Sequence, residues 1–232
     1  MSNVVIFNKC FSLIGKQIYY NTEYWKKGGP VLRSQNEHVL WNWERCKTRI
    51  RGLKGRLGFK EAPTLRFLEL SISLEDGMIH DDLKNCPFPE VAPSIYCILS
   101  GYAEAEPVPE ALKLVSFRQL PGGHAYHKAF LGRVVFSIQR VFGSKPRMLV
   151  EAGKLLGGSG VDYGECSVRV YSLPLVPIIV VLWAESQEFS ASANMLFDAS
   201  VSHYLTTEQV AMLSQLTSVR LRHAYEIFIS KA

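Results

Sequence analysis

The sequence predicts an α+β fold, a mainly antiparallel sheet with helices packed over it, and three observations predict it. Residues 173–184 are almost wholly apolar, dominated by Val and Ile, and end at Trp183. That composition fits a strand buried on both faces. Residues 124–142 place Tyr126, Phe130, Val134, Ile138 and Val141 on one helical stripe, with Lys128, Arg133 and Gln139 off it. Residues 206–229 open on Thr206 with Gln209 three positions on, a capping box, and continue one stripe through Val210, Leu213, Leu216, Val219 or Arg220, and Ala224.

The other elements fit between these anchors. Residues 12–24 suit a short helix that Gly28-Gly29-Pro30 breaks. Trp41 and Trp43 are two apart, which puts them on one face of a strand but on different faces of a helix. Leu65, Phe67, Leu70, Ile72 and Leu74 approximate an alternation, and Glu75-Asp76-Gly77 is a turn signal before a return strand at Met78-Ile79. Pro87, Pro89 and Pro93 mark a loop, after which Ser94 is placed to cap a helix through Tyr102. Residues 115–120 read as short and extended, and Pro121-Gly122-Gly123 as a turn. A helix over 145–156 closes at Gly157-Gly158, and a strand at 167–171 leads into the apolar run. Pro174 and Pro177 suit the beginning of that strand or a sheet edge, since proline has no donor for the ladder. The polar break 185–188 then turns the chain toward Met195-Leu196-Phe197-Asp198. Residues 1–60 read as an N-terminal extension packed on a main domain at 61–232.

Composition narrows the function classes. A chain of 232 residues can bury about 70–75% of its unfolded surface without help from disulfides or metals. A hydrophobic fraction of 47% and a charged fraction of 20% are those of an ordinary globular protein. The net charge of +5 is mild. The basic run Arg45, Lys47, Arg49, Arg51, Lys54, Arg56 and Lys60 has only Phe59 for aromatic company, so a solvated face is expected there rather than nucleic-acid binding. Cysteines at 10, 46, 86, 97 and 166 form no CxxC, which argues against a disulfide framework or structural zinc and for a reducing cytoplasm. Apolar residues 4–7 are followed, not preceded, by lysines, and the longest apolar run has 12 residues. Neither a signal peptide nor a membrane span is expected.

One resemblance runs through the order of motifs. Phe117-Arg118, Leu120 to Gly123, Tyr126 and Phe130 are followed by Leu156-Gly157-Gly158 and Asp162. Then come Leu173-Pro174, Pro177, Leu182-Trp183, Glu188-Phe189, Leu196-Phe197-Asp198 and Tyr204-Leu205. Over roughly 65–220 this resembles the DUF3786 family. The resemblance implies an origin in anaerobic bacteria or archaea but no settled activity. Some members carry an added iron–sulfur module, which this chain lacks, having no closely spaced cysteines.

Candidate chemistry is sparse. His124 and His127, three apart on a helix, share a face and could flank a ligand or share a metal, with Tyr126 and Phe130 as an apolar wall. No HExxH or His–Cys cluster completes that pair, and the plain reading is ordinary helix residues. Gly122-Gly123 at a helix start exposes amides to an anion but serves equally as a sharp turn. Gly157-Gly158-Ser159-Gly160, followed by Asp162, suits a C-cap or a loop over a pocket. Asp198 follows an apolar run and is either a general acid or, preferably, a turn aspartate bonded to backbone amides. Glu185 and Glu188 read as turn residues. The expected function is a small-ligand or cofactor-binding accessory protein, with a tetrapyrrole such as haem or a corrinoid as the cofactor class. Its pocket is expected between the 124–142 helix and the sheet near Gly157, formed by His124, Tyr126, His127, Phe130, Asp162 and Asp198. The alternatives are an enzyme using Asp198 or Asp162 as acid or base, and an interaction subunit with a protein partner or a second copy and no small ligand.

Overall fold

The computed structural model describes residues 41–231. The expected helix at 12–24 and its Gly28-Gly29-Pro30 break lie outside them. In chain order, helix α1 (Trp43–Arg51) precedes strands β1 (Thr64–Phe67), β2 (Leu70–Ser73), β3 (Ile79–Asp81) and β4 (Cys86–Pro87). Helix α2 (Ala92–Tyr102) and strand β5 (Leu114–Ser116) follow. Helix α3 (Gly123–Phe130) runs through a π turn (Leu131–Val135) into α4 (Phe136–Phe142), and α5 (Arg147–Leu155) comes next. Strands β6 (Ser159–Gly160), β7 (Cys166–Leu173), β8 (Val176–Trp183) and β9 (Ser192–Asp198) lead to the short α6 (Val201–Tyr204) and the long α7 (Thr207–Lys231). Two antiparallel sheets result, ordered β1-β2-β3-β4 and β5-β9-β8-β7-β6. The α+β expectation holds. Among the described residues no helix is long and apolar enough to cross a membrane.

Local signals explain most boundaries. Asn42 caps α1 by accepting from the Arg45 amide at 3.1 Å. Trp43 therefore begins a helix and lies over Gly77, where a Cβ would come within 2.4 Å of the indole. Ile50 and Leu53 carry this segment into the common core. Helix α2 starts two residues before Ser94, because Pro93 is tolerated in a first helical turn. The expected turn at 75–77 does join β2 to β3, with Ile72 opposite Ile79. The alternating run before it is two strands rather than one. Leu68 and Glu69, at φ 52° and 54°, form a two-residue left-handed turn without glycine.

From Tyr126 to Ile138 the stripe repeats every fourth residue, and in a regular α-helix such a row drifts by about 40° per step. The π turn corrects the drift. Its wide bond, from the Phe136 amide to the Leu131 carbonyl, absorbs an extra residue and keeps Phe130, Val134 and Ile138 buried together.

Strand β8 lies at the centre of the larger sheet, and Val176 to Leu182 are all buried. Its prolines sit at its start. Pro174 is in the β7–β8 connection, and Pro177 lies opposite Tyr171, beside a register shift in β7. Val168, Val180 and Met195 share the helix-packed face, with Phe197 set against Phe130. Gly153 lets α5 approach that face, since a Cβ there would meet Val168 at 2.2 Å.

Helix α7 departs from the single stripe. Every residue from 209 to 221 is buried. Two of its polar side chains are satisfied inside: Ser214 and Thr217 donate to the carbonyls of Val210 and Leu213, and Ser172 pairs with Thr217 at 2.8 Å, whereas Gln215 Oε1 and the Ser218 hydroxyl are buried without a partner. The capping box forms as expected, and Gln209 reaches on to the Cys97 carbonyl at 3.0 Å.

Val180 is fully buried, so Val180→Asp places an unpaired charge in the core at a cost of several kcal/mol, comparable to a domain's whole stability. Loss of soluble expression is the expected outcome. A soluble variant with an unchanged melting temperature would contradict the assignment.

Candidate functional site

Side chains alternate across a strand, so the residues between the helix-packed ones in β7, β8 and β9 face the other way. Arg169 and Tyr171 of β7, Pro177 and Ile179 of β8, and Asp198 of β9 share that second face. Two connections partly cover it. One is the segment through Glu110 to Leu114, and the other is the β6–β7 loop. Ser167 pins that loop, donating to the Val161 carbonyl at 2.6 Å and accepting from the Tyr163 amide at 3.0 Å. Gly164, at φ 60°, settles against the sheet where a Cβ would lie 2.6 Å from Val181. Between these covers is a cavity of about 120 Å³, bounded by Glu110, Leu112, Tyr163, Arg169, Ile179 and Asp198 among others.

The polar groups here are tightly organised. Arg169 Nη2 donates to both carboxylate oxygens of Glu110 at 2.5 Å and to the Tyr171 hydroxyl at 3.0 Å. That hydroxyl donates to Glu110 at 2.9 Å, and the guanidinium lies 5.1 Å from the centre of the Tyr171 ring. Burial first, and the bond to Glu110 next, push the Tyr171 phenol above its ordinary pKa, so it stays a donor. Arg169 Nε is buried and has no hydrogen-bond partner. An orphaned buried donor is costly, on the order of 1–3 kcal/mol, and marks where an acceptor would be welcome.

Asp198 accepts from the amides of Ala111 at 2.8 Å and Ser200 at 2.9 Å. Burial works against its ionisation, but bonds from Ser200, Ala111 and Leu112 outweigh this and lower its pKa. It is an ionised anchor for the 110–114 cover and for the turn that follows β9.

The expected site residues fall in separate places. His124 is exposed at the start of α3, and His127 is half-buried with an unpartnered Nδ1. Tyr126 packs on the edge of the core. Phe130 is buried, stacked on Phe117 at 4.0 Å and edge-on to Phe197. This helix therefore lies on the opposite side of the sheet from Asp198. Asp162 is exposed, one residue before Tyr163 in the loop over the cavity. Among the described residues no group of three or more His, Cys, Asp or Glu could hold a metal. The basic run at 45–60 is largely neutralised: Lys47, Arg49, Lys54 and Arg56 pair with Glu44, Glu104, Glu61 and Glu106.

Sequence reasoning passed over Glu110, Tyr163, Arg169 and Tyr171. The available signal was the alternation Val168-Arg169-Val170-Tyr171, polar at every second place in an otherwise apolar strand.

The family described as a domain of unknown function (DUF3786) matches residues 61–220, and the chain belongs to it. No curated protein and no solved structure matches.

The lowered pKa of Asp198 sets a pH dependence. Stability from a carboxylate ionised more easily in the fold is fully present above its unfolded pKa, about 3.9, and is lost as pH falls below it. Asp198→Asn is expected to be less stable than wild type at pH 7, with the gap narrowing below about pH 4. A gap independent of pH would show that the charge contributes nothing.

Proposed function

We propose that this DUF3786 protein is a small-ligand-binding accessory protein whose ligand seats in the cavity bounded by Glu110, Arg169 and Asp198. The observation that carries the reading is the buried, unpartnered Nε of Arg169, a residue that bounds that cavity. A ligand acceptor would satisfy it, while Leu112, Leu114, Pro177 and Ile179 would hold an apolar body. At about 120 Å³ the space is well below the roughly 300–1,000 Å³ of drug-sized sites. The proposal is therefore a compact polar molecule rather than a tetrapyrrole or corrinoid. Binding is favoured over acid–base catalysis because Asp198 is fully ionised and engaged by amides, far from the near-neutral pKa that proton transfer wants. A cytoplasmic setting in an anaerobe is part of the proposal. Its support is the family resemblance and the free cysteines 46, 86, 97 and 166.

Thermal unfolding against a panel of small polyols, amides and hydroxy acids tests this. A true ligand at a hundred times its Kd contributes about 2.7 kcal/mol, which for this size raises Tm by roughly 5–10 °C. Arg169→Lys keeps the positive charge beside Glu110 but deletes the Nε donor. Whatever its own ligand-free Tm, it should lose the ligand-induced rise. If no compound moves wild-type Tm, or Arg169→Lys keeps the full rise, the reading fails.

A further inference from the structure

On the opposite side of the molecule, charge is segregated in a way the mild net charge conceals. From 111 to 150 the chain has seven Lys or Arg and no Asp or Glu. This stretch holds β5, α3, the π turn, α4 and the start of α5. The π turn that aligns the buried row also aligns the row two residues out of step with it, which faces away from the core. That outward row reads His124, Lys128, Gly132, Phe136 and Arg140. His124, Lys128, Phe136 and Arg140 are all exposed, Phe136 to 52%. A Cβ on Gly132 would meet nothing within 4 Å, so the helix surface one turn before Phe136 is open. Exposed Arg118 precedes the row in the chain, and exposed Lys145 and Arg147 follow it. Among the described residues Arg118, Lys128 and Arg147 form no ion pair, in contrast to the paired basic residues of 45–60.

The chemistry of this face decides among anionic partners. A protein interface of ordinary size needs several apolar anchors at its centre, and a membrane-bound helix needs a continuous apolar face. Here a single aromatic stands exposed within a basic row. Grooves that bind single-stranded nucleic acid have that composition, with cations tracking phosphates and an aromatic ring under a base. Residues four apart on the helix rise about 6 Å, close to the spacing of phosphates along an extended strand. We propose that the outward face of α3–α4 binds single-stranded nucleic acid without sequence preference, a base stacking on Phe136 and phosphates meeting Lys128 and its basic neighbours.

Fluorescence anisotropy of a labelled oligothymidylate of about 12 nucleotides, within the usual site sizes, tests the proposal on the full chain. Binding should be measurable at about 50 mM salt, and its affinity should fall with salt at a log–log slope near −2 if three phosphates are neutralised. Phe136→Ala should weaken binding roughly tenfold and leave the slope unchanged, as loss of one stacked base implies. Lys128→Glu should weaken binding and make the slope shallower by about 0.7. Both side chains are exposed, so neither variant should shift the melting temperature, and a circular dichroism melt checks this. Absence of binding at low salt overturns the proposal. So does binding that both substitutions leave unchanged. Capture by phosphatidylserine vesicles without affinity for the oligonucleotide would also overturn it and reassign the face to an anionic membrane surface.

Discussion

Arg220 is the side chain through which the two halves of the fold are joined. It projects from the middle of α7 with no solvent exposure and forms a bidentate pair with Asp81 of β3, at 2.5 and 2.8 Å. Its remaining donors go to the carbonyls of Leu68 at 2.9 Å and Glu69 at 3.0 Å and to His223 Nδ1 at 3.4 Å. Leu68 and Glu69 form the left-handed turn between β1 and β2, a conformation that costs a non-glycine residue roughly 1–2 kcal/mol. The turn persists because its carbonyls are the acceptors a buried guanidinium requires. Asp81 is matched in the same way, accepting from the amides of Leu83 and Lys84. Burial opposes its charge, but His223, Arg220 and the Lys84 amide hold the carboxyl well below the usual carboxylate range. Desolvating such a pair is expensive, and only full satisfaction of both partners makes it tolerable. The consequence is geometric: the small sheet is fixed against the C-terminal helix at one register.

With that joint in place, the larger sheet is free to use its two faces differently. One is filled by α3 to α5 and contributes the core. The other is covered only by two connecting segments, which Asp198, Ser167 and Gly164 hold in position. The cavity exists because loops cover a sheet less completely than helices do. Arg169, Glu110 and Tyr171 can meet there without entering the hydrocarbon core, each being partly solvated. The basic row of α3–α4 lies on the far side, so the two proposed sites do not compete for the same surface.

Much of this was legible from residues. The β8 run, the stripe beginning at Tyr126 and the Thr206–Gln209 box carry strong local signals, and each produced the expected element. The Leu68–Glu69 turn was invisible because neither residue favours positive φ. Its cause lies some 150 positions away, at Arg220. The burial of every residue from 209 to 221 was hidden for a related reason: Ser214 and Thr217 are polar, yet both bond within their own helix. The cavity residues were missed because Glu110 and Arg169, 59 positions apart, meet only once strands pair. The histidines drew attention as a local pair, but pairing on one helix says nothing about what else converges there.

A double-mutant cycle on the joint is the most direct test. Unfolding free energies would be measured for wild type, Arg220→Met, Asp81→Leu and the double variant. Each single substitution leaves a buried charge unpaired and should cost about 3–5 kcal/mol. The double variant, with both charges gone, should cost about 2–3 kcal/mol less than the sum of the singles. Losses that add to within about 0.5 kcal/mol would show two independent residues and no joint.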